Sequence, residues 1–459
     1  MASTRVPFIL KRLFGAPSSR NKQSATQKSI LFISPTGDFS NGAERCAYQL
    51  MKLLAEKGHH VFNAHPARSL QVEGVYRAAL NKAGVSPICI PELRWWPDAP
   101  GGDINTPPDA PADLRAIDTI HEIIRAHDID VVVSNTVNTY HGALAAAMEN
   151  TRHIWLIHEF PEGEFGYYRN KAQFISAYSD AIFCVEGTLQ ESLESLMPER
   201  EIGTFLPYTN PGEMADELAN GEEDSVTLNG EVDSAQLAGT SSSKPSTVDE
   251  RDSRAKSPSN RIICIGLISE RKNQLELLYA YALLPEEFKS LELVFVGGNG
   301  DDITHRNLCN DFIASNSLTK VSFIGHLEKP WSFVSERDIV VLPSKSETFG
   351  CVYVEALMNG VPVIASDNDG FAKVQSLFGA GKLYTRGNPE ALAKAIAELL
   401  HNFDDEKEKA EAIAPRVRRA FAPEHAYAQL VAEITCDKQP RRKKPCSSAQ
   451  LNGLICTSS

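Results

Sequence analysis

From Ser29 onward, short apolar runs alternate with stretches in which apolar residues recur every three or four positions. That alternation predicts strands covered on both faces by helices, in βαβ order. Residues 30–34 (ILFIS) read as a buried first strand; Ala43, Cys46, Ala47, Leu50 and Leu54 follow at helical spacing, and Gly58 supplies a stop. Further strands are expected at 85–91, 130–134, 154–157 and 181–185, and helices at 113–127, 141–149 and 188–197. Residues 91–112, with several Pro and Gly and with Trp95 and Trp96, form a loop too long to serve only as a connection.

The pattern breaks at Pro211. Residues 211–258 hold no aromatic residue, eleven acidic and four basic ones. Such a segment buries too little apolar area to offset its ordering entropy, which predicts a disordered linker. A second alternating series starts at Arg261, with strands IICIG, LELVFVGG, KVSFIG, DIVVLP and VPVIAS, and helices at about 388–401, 404–419 and 423–435. The chain therefore divides into a basic tail (1–28), a first Rossmann-like domain (29–206), a linker with an acidic insertion (207–259), a second Rossmann-like domain (260–401), C-terminal helices (402–436) and a basic tail (437–459). Two doubly wound α/β domains in tandem predict a cleft between the carboxyl ends of their sheets.

Composition narrows the function. A net charge of −13 excludes nucleic-acid binding by the body of the chain, and no apolar run is long enough to cross a bilayer. The nine cysteines form no CxxC or Cys/His cluster, and Cys184 and Cys264 lie in apolar runs, a usage that predicts a reducing compartment and no structural zinc. The expected location is cytoplasmic. The first 28 residues carry six basic side chains and no acidic one, and Arg441 to Lys444 repeat the theme at the other end. A solvated tail, an organelle transit peptide and an amphipathic membrane-surface segment all fit the N-terminus; two basic ends on an acidic body suit peripheral contact with an anionic membrane. The final Cys456-Thr457-Ser458-Ser459 lacks the aliphatic middle of a prenylation box.

The stretch 343–366, PSKSETFGCVYVEALMNGVPVIAS, carries the most chemistry. A strand ends at Leu342, a polar turn follows, and a helix begins near Gly350. Amides of Thr348, Phe349 and Gly350 at a helix N-terminus favour an anion such as a diphosphate, and Gly350 permits close backbone approach. Glu355, more than a turn along, can accept hydrogen bonds from vicinal ribose hydroxyls, while Glu347 can reach sugar hydroxyls. Taken alone, Glu347 also reads as a helix cap and Glu355 as a solvated helix residue.

Glu347-x7-Glu355 resembles the EX7E signature of the retaining glycosyltransferases of family 4 (group 1), which have the GT-B fold. Three other segments resemble the same family: 41–61 its Gly-rich first loop and helix, 155–160 (WLIHEF) its strand-end histidine, and 265–284 the strand, basic turn and helix that open its second domain. The resemblance implies a retaining transferase that moves a sugar from a nucleotide diphosphate donor to a hydroxyl acceptor. It implies that Lys272 and Arg271 neutralise the donor diphosphate, that Glu347 holds the donor sugar, that Glu355 binds ribose, and that Thr348, Phe349 and Gly350 cradle phosphate. Gly42 and Gly266 match loop glycines near the donor, and His158 a histidine that hydrogen-bonds sugar hydroxyls. The nucleotide sugar is then a substrate, with no cofactor and no bound metal implied.

Two features depart from the family pattern. Asn41-Gly42 stands where two glycines are common, and Leu267 follows Gly266 where Arg is common, leaving Arg271 as its substitute. No DxD-like dyad is suitably placed; Asp301-Asp302 reads as a helix N-cap. Three other functions fit less well: a catalytically inactive nucleotide-sugar-binding module, a nucleotide-sugar epimerase, and a dinucleotide dehydrogenase. For the last, Gly297-Gly298-Asn299-Gly300 puts Ile303 where GxGxxG needs its third small residue.

Overall fold

The structure, a computed structural model, describes residues 27–39, 41–96, 110–208, 261–299, 303–327 and 329–441. Outside them lie nearly all of the basic N-terminal tail, the middle of the 91–112 loop, almost all of the 207–259 linker, the Asp301-Asp302 pair and the tail beyond Arg441. The chain forms two compact units, Met1–Tyr208 with Pro423–Ser459, and Thr209–Ala422.

The first unit holds seven parallel strands: β1 (Ser29–Ile33), β2 (His60–His65), β3 (Val85–Cys89), β4 (Val131–Asn135), β5 (Arg152–Ile157), β6 (Ala181–Val185) and β7 (Ile202–Phe205). Their order is β3-β2-β1-β4-β5-β6-β7, so the sheet winds both ways from a switch between β1 and β4. Helices α1 (Gly42–Glu56), α2 (Leu70–Lys82), α3 (Ala110–Ala126), α4 (Tyr140–Met148), α5 (Ala172–Tyr178) and α6 (Thr188–Leu196) connect them. Residues 30–33 of β1 are fully buried, as a central parallel strand requires. The Asn41 side chain accepts from the Glu44 amide at 2.9 Å and caps α1; Gly58 follows it with φ +87°.

β2 and α2 were not expected from the pattern. Asn63 and His65 interrupt the apolar run of β2, yet both are buried, and Asn63 is satisfied by donating to Ser34 Oγ at 2.8 Å and accepting from the Tyr76 hydroxyl.

The second unit repeats the design with β8 (Arg261–Ile265), β9 (Glu292–Val296), β10 (Val321–Gly325), β11 (Ile339–Leu342), β12 (Val363–Ser366) and β13 (Lys382–Tyr384), ordered β10-β9-β8-β11-β12-β13 and all parallel. Its helices are α7 (Gln274–Ala282), α8 (Thr304–Ser315), α9 (Pro330–Phe333), α10 (Cys351–Met358), α11 (Asp369–Phe378), α12 (Pro389–His401) and α13 (Phe403–Ala420). The switch falls between β8 and β11, which brings the loops 266–273 and 343–350 side by side.

The C-terminal helices do not form one set. α13 stays with the second unit, whereas α14 (Pro423–Ala426) and α15 (Ala428–Thr435) belong to the first. Tyr427 donates to the Cys46 carbonyl of α1 at 3.0 Å, and Arg152 at the start of β5 pairs with Glu433. The expected 402–436 segment is therefore divided at Ala422, a partition decided by these long-range contacts and invisible to helical periodicity.

Candidate active site

In the second unit, Lys272 Nζ donates to Glu347 Oε1 at 2.6 Å, and Arg271 lies 3.2 Å from Glu347 Oε2. Backbone geometry sets up this triad. Gln274, fully buried, accepts from the Ser269 amide and donates to the Leu267 carbonyl at 2.9 Å, which ties down the turn after β8. Asn273 takes a left-handed conformation, φ +54°, to start α7. The Lys345 amide donates to the Arg271 carbonyl at 2.7 Å and stitches this turn to the one after β11. Burial works to raise the Glu347 pKa, but Lys272 and then Arg271 overcome it and hold the carboxyl below its ordinary value.

Beyond Glu347 the chain turns through Thr348 and Phe349 into α10. The amides of Thr348, Phe349 and Gly350 have no backbone acceptor among the described residues. Phe349 itself is a core residue, its ring 5.8 Å from that of Phe421, so only its backbone faces the site. Gly350 is required for a reason the motif does not reveal: its φ is +94°, and a Cβ there would stand 2.4 Å from the Phe371 ring. Gly266 has φ +150° and faces the Lys272 stem, 3.7 Å from where its Cβ would lie. Gly297 is a packing glycine, since a Cβ would meet the Gly266 carbonyl at 2.0 Å.

Glu355 sits on α10, where Trp331 Nε1 donates to its Oε2 at 2.8 Å. Trp331, nearly buried on the short α9, was not anticipated. No spacing rule links it to Glu355, 24 residues away.

In the first unit, Gly42 opens α1, and a Cβ there would meet nothing within 4 Å. The preceding loop is braced by Glu44, which accepts from Ser34 Oγ (2.9 Å), the Thr36 amide (2.9 Å) and hydroxyl (3.0 Å), and the Gly37 amide (3.2 Å). Its burial raises its pKa against those bonds. His158 follows β5. Its Nε2 lies 3.0 Å from Asn135 Oδ1 at the end of β4, and burial depresses its pKa to about 4. Next to it, Glu159 accepts from the amides of His158 (3.0 Å) and Val137 (3.3 Å), and burial raises its pKa to about 7. Glu44, Asn135 and Glu159 were not among the expected site residues. Glu44 and Glu159 lie inside matching segments, and only tertiary neighbours give them work.

Profiles of two known families match this chain: Glycosyl transferases group 1 over residues 246–419 and Glycosyltransferase Family 4 over residues 40–202. The chain belongs to the group 1, family 4 glycosyltransferases. Among its relatives, a phosphatidyl-myo-inositol mannosyltransferase of Mycobacterium leprae is 32% identical over 162 residues, 34% of this chain and 42% of that protein. A D-inositol 3-phosphate glycosyltransferase of Corynebacterium urealyticum is 28% identical over 173 residues, 36% of this chain and 41% of the relative. The match thus spans less than half the length of these curated relatives. Anabaena HepE, crystallised with UDP and glucose, superposes with a TM-score of 0.63 at 17% identity, covering 89% of this chain and 99% of HepE. A glycosyltransferase from Rickettsia africae gives 0.63 at 18%, covering 90% and 100%. At such identities the likeness shows the fold, two doubly wound parallel-sheet domains of the GT-B class, as the sequence resemblance implied. Among the described residues, no helix of the chain is long and apolar enough to cross a membrane.

Proposed function

We propose that this family 4 glycosyltransferase is a retaining enzyme that moves a hexose from a nucleoside diphosphate sugar to a hydroxyl acceptor. The observation that carries this reading is the Lys272–Glu347–Arg271 triad beside the 348–350 amides, at the switch point of the second sheet. Two cations and a helix N-terminus suit a pyrophosphate, and they stabilise its charge as the glycosidic bond to it breaks. Glu347, kept ionised by those cations, accepts hydrogen bonds from the donor sugar's hydroxyls. Glu355, oriented by Trp331, accepts from the ribose. His158 in the first unit bonds a hydroxyl of bound substrate. The Arg271–Lys272 pair supplies the positive charge, so the reaction as proposed needs no metal. Retention rests on the family's chemistry: the acceptor hydroxyl attacks on the face the diphosphate leaves, and the leaving phosphate oxygen takes its proton. The basic termini favour an anionic membrane as the place where the acceptor is met.

The test is a thermal-shift screen across UDP-, GDP- and ADP-sugars, followed by transfer assays with the donor that binds and by assignment of the product anomer. UDP-glucose comes first, because HepE was crystallised with UDP and glucose, and GDP-mannose second, because a relative is a mannosyltransferase. Binding with transfer and a retained anomer is expected. Binding without turnover indicates a module that only holds nucleotide sugar, conversion of donor alone an epimerase, and an inverted product overturns the mechanism.

A further inference from the structure

Asn135 joins three elements of the first unit. Its side-chain nitrogen donates to the Ala43 carbonyl in the first turn of α1 at 3.3 Å, and its Oδ1 lies 3.0 Å from His158 Nε2 beyond β5. A backbone carbonyl only accepts, so the amide group facing Ala43 is the NH2, and the amide oxygen turns to the imidazole. That oxygen also only accepts. Nε2 therefore carries the proton.

Resting on the transferase reading above, we propose that Asn135 fixes His158 in the tautomer protonated at Nε2, so that Nδ1 accepts a hydrogen bond from a substrate hydroxyl. Asn135 is then a positioning residue and His158 a hydrogen-bond acceptor. The surroundings hold this arrangement. Glu159 grips the His158 and Val137 amides, and the Phe205 ring lies 5.4 Å from the imidazole. Between Asn135 and Val137, Thr136 has φ +68°, a left-handed conformation that a β-branched residue rarely adopts. Trp155 Nε1 donates to the Thr136 carbonyl at 2.7 Å and holds that turn in place. No described residue bonds His158 Nδ1. Burial keeps the ring neutral, with a pKa of about 4, so Nδ1 offers a lone pair at neutral pH. The adjacent titratable group is Glu159, on which Glu164 acts and whose carbonyl accepts from the Tyr168 hydroxyl; burial alone sets the shift of His158.

Two measurements test this. Long-range proton–nitrogen correlation spectra of the full chain with labelled histidine, assigned by comparison with His158→Gln, report the tautomer without any substrate. Nε2 in the protonated range and Nδ1 in the unprotonated range is the expected result; a proton on Nδ1 overturns the proposal whether or not the chain transfers sugar. The second variant is Asn135→Asp, which puts a carboxylate where the amide oxygen lies. A carboxylate at that distance raises a neighbouring pKa by about 1–3 units, so Nδ1 gains a proton at higher pH and stops accepting. The acid limb of the kcat profile should move up by at least about one pH unit, with activity recovered on its alkaline side. An unmoved acid limb with intact transfer overturns the positioning role. If no nucleotide sugar binds, the transferase reading fails, and the spectrum still decides the tautomer.

Discussion

Glu347 is where three charges meet, and its ionisation depends on the two cations that also face the proposed diphosphate. Replacing Lys272 or Glu347 with Ala should cut transfer at least about a hundredfold, read as kcat/KM with the donor found by the screen. Trp331→Phe keeps an aromatic ring, though a smaller one, and removes the N–H that donates to Glu355. A hydrogen bond to a carboxylate contributes about 1.5 kcal/mol or more, so nucleotide affinity by calorimetry should fall about tenfold, with little loss for a 2′,3′-dideoxy nucleotide. The pair at 158–159 makes stability depend on pH from both sides. Glu159, with a folded pKa of about 7, contributes stability that is full below about pH 4.5 and is lost as pH rises through 7. His158, depressed to about 4, contributes stability that is full above about pH 6.5 and is lost as pH falls through 4. Glu159→Gln should therefore raise the melting temperature relative to wild type at pH 8 and lose that advantage at pH 5. Glu347 and Glu355 drew notice in the sequence because they lie eight residues apart in one turn-and-helix stretch, and Lys272 because it stands in the basic turn after a strand, 75 residues away from Glu347. Asn135 and Glu159 were not, because they act on neighbours brought by separate strands.

Among elements, the turn into α10 shows how a motif glycine can answer to packing. Gly350 meets the Phe371 ring and holds a left-handed φ. Gly350→Ala should destabilise the second unit by about 2 kcal/mol or more in urea unfolding, from backbone strain of about 1–2 kcal/mol and a displaced core ring. Gly42→Ala, where a Cβ meets nothing, should leave stability within about 0.5 kcal/mol. Continuous apolar runs such as ILFI and IVVL announced their strands, since a parallel strand covered on both faces has no polar side. β2 escaped because the polar Asn63 and His65 fall inside it and are buried there. β13 escaped because three residues carry no period.

For the whole molecule, ligand linkage gives a direct check on which unit holds the nucleotide. A donor at a hundred times its Kd stabilises the native state by about 2.7 kcal/mol, and hydrogen exchange should slow at 266–273 and 343–350. Dialysis against EDTA should leave transfer rates unchanged, because Arg271 and Lys272 supply the charge at the proposed diphosphate; loss of activity restored by a divalent ion would refute that. Sequence by itself determined the two α/β series and the family, and it singled out candidate charged residues, because hydrophobic period and the order of residues within a segment are local properties of a chain. The return of α14 and α15 to the first unit, the clasp of Lys272 and Arg271 on Glu347, and the meeting of Asn135 with His158 were decided only by the tertiary structure. Each depends on contacts between residues distant in the chain, and no local pattern encodes which partner an ionic or amide group will find.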